Sequence, residues 1–165
     1  MFLEHSGPRV LELASTTVFH IYTDACYELF AVELSLEQTN LLGALHKKTI
    51  IFEAELLAIV LAFAIWGKLV RSSSLISFID NNASRDVAIS GAGRNAVANS
   101  LIEFLLTLEM SNNLTPWYAR VPTPSNVADE PSRGVLDCLV EQQVRRVDAK
   151  TEFDDILKVL AELVG

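Results

Sequence analysis

The chain has 165 residues, 50% of them apolar and 21% charged, a balance that suits one globular domain and argues against disorder or a repeat array. Thirteen basic residues against 21 acidic ones leave a net charge of −8, which argues against unaided, charge-driven capture of nucleic acid or of an anionic membrane. The longest apolar run, Leu56 to Trp66, has eleven residues, short of the roughly twenty that span a bilayer. The opening MFLEHSGPRV lacks the basic flank and apolar stretch of a secretory signal, so no membrane partner is expected. Cys26 and Cys138 form no CxxC and no Cys/His cluster, and an intracellular compartment, cytoplasm or nucleus, is the expectation.

Along the chain, TTVFHIYTD is rich in β-branched and aromatic residues and predicts a buried strand ending at Asp24. LFAVELSL, Leu29 to Leu36, alternates as a second strand, and KKTIIF, Lys47 to Phe52, reads as a third, which suggests an antiparallel meander. From Glu53 the sequence EAELLAIVLAFAIWGKLV predicts a helix of about five turns, apolar on nearly every face and therefore buried. SSSLISFID, Ser72 to Asp80, is a short strand that again ends in an aspartate. NASRDVAI and NAVANSLIEFLLTLEM predict helices, LTPWYARV a fifth strand, and ADEPSRGVLDCLVEQQ a helix with Pro131 in its first turn. Thr151 to Val164 predicts an amphipathic helix; seven of the acids lie in the last 29 residues. The order β-β-β-α-β-α-α-β-α-α belongs to a mixed five-stranded sheet with helices on both faces.

Two predicted strands finish in aspartates, Asp24 and Asp80, and a strand that follows a central helix often returns beside the first one. Their carboxylates are then expected to be neighbours in the crevice where open α/β sheets place ligands, tolerated with a cation between them or a shifted pKa. Glu53 and Glu55 are the acids on the apolar helix, and positions two apart point to nearly opposite faces. The helix dipole is a sufficient reason for Glu53. Glu55 precedes eleven apolar residues, so it either reaches solvent or joins the carboxylates. Asp129, just before the turn with Pro131, has N-capping as its plain explanation. His20 is expected in the core or on a sheet face, and Trp117 and Tyr118 are expected to pack.

The succession IYTDA, AELLA, FIDNNAS and NVADEPSR resembles the ribonuclease H domain of reverse-transcribing retroelements, over about Val18 to Gly134. The resemblance implies the ribonuclease H-like fold over 16–136, with 137–165 a helical extension packed on or following it. It selects Glu55 over Glu53 and implies a site of Asp24, Glu55, Asp80 and Asp129 that binds Mg²⁺, with Mn²⁺ as a substitute. The implied activity is two-metal hydrolysis of the RNA strand of RNA:DNA hybrids. Asp24 is then expected to bridge both ions, with Glu55 and Asp80 on one side and Asp129 completing the other. The ending RVPTPSNVADEPSR implies a reverse transcriptase domain upstream in a parent polyprotein.

The chain departs from the family in having no glycine soon after Asp24; Gly43 is the only one before Glu55, which implies a shortened or rearranged hairpin. The loop before Asp129 carries no histidine, since the three are His5, His20 and His46. Two other readings remain. One is a catalytically degenerate domain serving as a structural or interaction module, against which the four intact carboxylates argue. The other is an integrase-like nuclease acting on DNA, against which the early position of the AELLA helix argues.

Overall fold

The computed structural model describes residues 18–25, 50–137, 147 and 150–164. The predicted strand over Leu29 to Leu36, both cysteines, His5, His46 and the segment around Gly43 lie outside them.

Strand β1 covers Val18–Tyr22 and helix α1 covers Ile50–Trp66. The third predicted strand is overturned at its described end, because Ile50, Ile51 and Phe52 open α1. Its β-branched pair disfavours a helix by less than about 0.7 kcal/mol per residue. Packing outweighs that: Phe52 lies against the core and its carbonyl accepts the Ser84 hydroxyl at 3.2 Å. At the other end α1 stops at Trp66, short of the predicted Val70. The Gly67 N–H bonds the Phe63 carbonyl at 2.9 Å, and a Cβ on Gly67 would lie only 2.4 Å from that oxygen.

Strand β2 covers Ser74–Ile79, followed by α2, Asn82–Ser90, and α3, Ala96–Asn112. Strand β3 covers Thr115–Arg120, and α4 is the four residues Asp129–Ser132. Gly134, at φ 80°, turns the chain out of α4. Helix α5 covers Lys150–Val164.

The described strands form a sheet in the order β1-β2-β3, with both pairings parallel. The described residues are therefore α/β with a three-stranded parallel sheet; the second strand of the expected meander and the start of the third lie outside them, and a five-stranded mixed sheet is not shown. The parallel pairing of the described strands follows from their connections. The path from β1 to β2 runs through α1, the path from β2 to β3 through α2 and α3, and such crossovers return the chain in the same direction.

One face of the sheet turns Ile21, Leu75, Ser77 and Ile79 into the interior. Against it α1 sets Leu56, Ile59, Val60 and Phe63 at helical spacing, joined by Leu101 and Leu105 of α3 and Ile156 and Leu157 of α5. Each such side chain contributes roughly 1.5–3 kcal/mol by leaving water. Helix α5 packs on α1 and α3, so the C-terminal helix shares the core of the strands. The opposite face carries His20, edge-on to Phe78 at 5.6 Å, and Tyr22, stacked on Phe78 at 4.5 Å. Trp117 also lies there, 72% exposed rather than packed. Tyr118 points inward, stacks on Phe63 and donates to Glu109.

Candidate metal centre

The β1–β2 register pairs Val18 with Ser74 and Tyr22 with Phe78, and the Thr23 N–H continues the ladder to the Phe78 carbonyl at 3.3 Å. The same offset, carried two residues on, levels Asp24 with Asp80 at the carboxyl ends of adjacent parallel strands. Asp80 is free of capping duty because Asn81 performs it. The Asn81 side chain accepts the N–H groups of Ala83 at 3.0 Å and Ser84 at 3.2 Å, which fixes the start of α2. Glu55 arrives from the early turns of α1.

One carboxylate oxygen from each of Asp24, Glu55 and Asp80 lies within 4.8 Å of the others. Glu55 is 4% exposed, and its Oε2 has no hydrogen-bond partner. Burial is the first reason its carboxyl is pushed up to about 8; the charges of Asp24 and Asp80 add to it, against an opposing Ala25 backbone N–H. Asp24 is also raised, chiefly by burial, with the Ser132 hydrogen bond pulling the other way. Three carboxylates drawn together at a partly buried strand edge, one with an orphaned oxygen, form a site that can hold a metal ion. Its donors are all oxygen, the set that suits Mg²⁺ or Mn²⁺ rather than a thiolate-seeking metal.

Asp129 stands apart from this triad. Its charge raises Asp24 and Glu55, but its Oδ1 accepts Arg133 Nη2 at 2.9 Å, and it is not among the three residues whose ligand atoms meet. It does not cap α4 either: Ala128 holds the N-cap position, without a side-chain hydrogen bond. Glu53 turns away and accepts Asn95 Nδ2 at 2.8 Å. His20 stays on the open sheet face, far from any ligand role.

Sequence reasoning missed the polar residues that hold the segment after β3. Thr123 donates to Asp80 Oδ2 at 3.1 Å, Asn126 donates to the Thr23 carbonyl at 3.2 Å, and the Ser132 hydroxyl bonds Asp24 Oδ2. The available signal was the density of small polar residues in PTPSNVADEPSR.

Comparison of the chain with protein-family models, with curated proteins and with solved structures finds no match to any of them. Among the described residues no helix is long and apolar enough to cross a membrane.

Proposed function

We propose that this chain is a ribonuclease H-type, divalent-metal-dependent endonuclease that cuts the RNA strand of RNA:DNA hybrids, as the nuclease part of a retroelement polyprotein with reverse transcriptase upstream. The observation that carries this reading is the meeting of Asp24, Glu55 and Asp80 within 4.8 Å at adjacent strand ends. The motif resemblance supplies the substrate class. Asp24, Glu55 and Asp80 would hold the ion, with Asp129 beside them.

A divalent ion in such a site supplies Lewis-acid stabilisation of phosphoryl oxygens and a water acidic enough to attack at neutral pH. The protein's own part is to present charge. Adjacent parallel strands fix Asp24 and Asp80 without any flexible loop between them and the sheet. Glu55, held almost out of water by α1, keeps a proton near neutral pH when nothing positive faces it; a bound cation would favour its charged form. Thr123 and Ser132 each hydrogen-bond one oxygen, Oδ2 of Asp80 and Oδ2 of Asp24, and so restrict how these carboxylates turn. The acidic balance of the chain, −8 overall, makes its own hold on a polyanion weak, in keeping with a polymerase neighbour that grips the hybrid.

One observation favours the interaction-module reading, namely the pairing of Asp129 with Arg133 at 2.9 Å, which occupies the fourth carboxylate. The deciding experiment is incubation with an RNA:DNA hybrid labelled on the RNA strand, in low salt, with Mg²⁺, Mn²⁺ or chelator. The nuclease reading expects endonucleolytic RNA fragments that disappear with chelator and in Asp24→Asn. An uncut RNA strand with either metal, even when the chain is fused to a reverse transcriptase, gives the module reading instead.

A further inference from the structure

Three side chains outside the triad fasten the segment after β3 to the ends of β1 and β2. Thr123 bonds Asp80, Asn126 bonds the Thr23 carbonyl across 103 residues of sequence, and Ser132 bonds Asp24 across 108. Asn126 is the buried member, 6% exposed, and its two amide ends do different work. Nδ2 reaches the backbone of the residue just before Asp24, while Oδ1 accepts the Ala128 N–H at 3.2 Å and so shapes the turn into α4.

Asp129 sits between these anchors. Its N–H donates to the Asn126 carbonyl at 3.1 Å, and its own carbonyl accepts the Ser132 hydroxyl at 2.9 Å. The Ser132 hydroxyl has one proton and two acceptors in reach, Asp24 Oδ2 and the Asp129 carbonyl. If Asp24 turns an oxygen to a cation, that proton keeps a partner, and the segment stays in place. Asn126 thus ties the backbone of Asp129 to the carbonyl of Thr23, and Ser132 ties it to the side chain of Asp24, whereas the Asp129 carboxylate accepts from Arg133.

We propose that Asn126 and Ser132 are positioning residues that set Asp129 beside the triad, so that whatever Asp129 adds to cation binding is delivered through them. This rests on the metal-centre reading above. A purely structural role would lower stability without caring whether Asp129 is a carboxylate; a positioning role makes the two depend on each other.

The test is a Mg²⁺ titration of the full chain followed by calorimetry, with thermal melts in chelator as the check on folding. Asp129→Asn, Asn126→Ala and Ser132→Ala should each weaken Mg²⁺ binding by about tenfold or more, as loss of an outer-shell partner does, and Ser132→Thr should restore the serine value. In an Asp129→Asn background, Asn126→Ala should change Mg²⁺ affinity by less than about twofold, the mark of a residue acting through that carboxylate, and Ser132→Ala should keep only the part of its effect that passes through its own bond to Asp24. Undiminished effects in that background overturn the proposal, as does Asp129→Asn or both single anchors binding Mg²⁺ like wild type. If Asn126→Ala fails to fold, the Ser132 variants decide alone. A wild-type chain that binds no Mg²⁺ removes the metal-centre reading itself, and the proposal with it, which is distinct from a binding wild type with indifferent variants.

Discussion

Glu53 and Glu55 stand two residues apart on α1, 3% and 4% exposed, and each has one oxygen without a hydrogen-bond partner. Their surroundings separate them. Glu53 accepts the Asn95 amide, whose own oxygen caps α3 by accepting the Ala98 N–H at 2.8 Å, so this carboxylate ties α1 to the start of α3. Glu55 faces Asp24 and Asp80, groups of its own sign that give it nothing to pair with. Equal burial thus produces a brace in one case and a carboxyl that resists ionising in the other, and the neighbours, not the depth, decide which.

The largest expected contrast is in activity. Glu55→Gln and Asp24→Asn should each lower hybrid cleavage by at least ~10²-fold, the scale on which a single group opposing transition-state charge is felt, whereas Glu53→Ala should keep cleavage per folded molecule. Gel assays at matched concentrations of folded protein would read this, and equal losses at both positions would erase the distinction. Next in size is stability. Glu53→Ala leaves the Asn95 donor unpaired and should remove about 1–3 kcal/mol, or about 2–4 °C of Tm per kcal/mol for a chain of this size, with the Mg²⁺-induced rise in Tm intact.

A smaller effect lies in pH. With no cation present, Glu55 holds its proton up to about 8 against an ordinary value of 4.5, so between those values the folded chain binds more protons than the unfolded one. That contribution to stability is complete at low pH and is lost as pH rises through about 8. The Tm difference between wild type and Glu55→Gln, measured in chelator, should therefore move against wild type from pH 5 to pH 8.5, and Mg²⁺ should stabilise wild type more at pH 8 than at pH 6. A difference that stays flat would mean Glu55 is solvated. Smallest of all, Glu53→Gln keeps an acceptor for Asn95, and its unfolding free energy should stay within about 0.5 kcal/mol of wild type.

Much of this contrast was legible before any coordinates. The strands that lead into Asp24 and Asp80, the buried character of α1 and the opposite facing of Glu53 and Glu55 follow from the sequence pattern, with β1 ending at Tyr22 and β2 at Ile79, just short of the two aspartates. The pairing of β1 with β2 was legible too, as the return of a strand after a helix. The start of α1 was not, because TII at Thr49 to Ile51 favours a strand locally while Ile50 and Ile51 open the helix whose Phe52 carbonyl accepts Ser84, distant in sequence. Trp117 misled for a related reason: an aromatic in a strand looks the same whether its face is covered or open. The clasp of Asn126 and Ser132 bridges more than a hundred residues, a separation at which no local pattern informs.

The handing of the α2 cap to Asn81 has a consequence for how substitutions are tolerated. Had Asp80 carried that cap, any change to its charge would also have loosened a helix terminus worth about 1 kcal/mol, and chemistry and folding would have been bound to one atom. With the tasks on successive residues, Asp80→Asn can silence the site while α2 keeps its start, and Asn81→Ala can weaken α2 while the three carboxylates remain. The chain is therefore open to clean separation of the two roles by single substitutions, and mutational drift at one position need not drag the other with it.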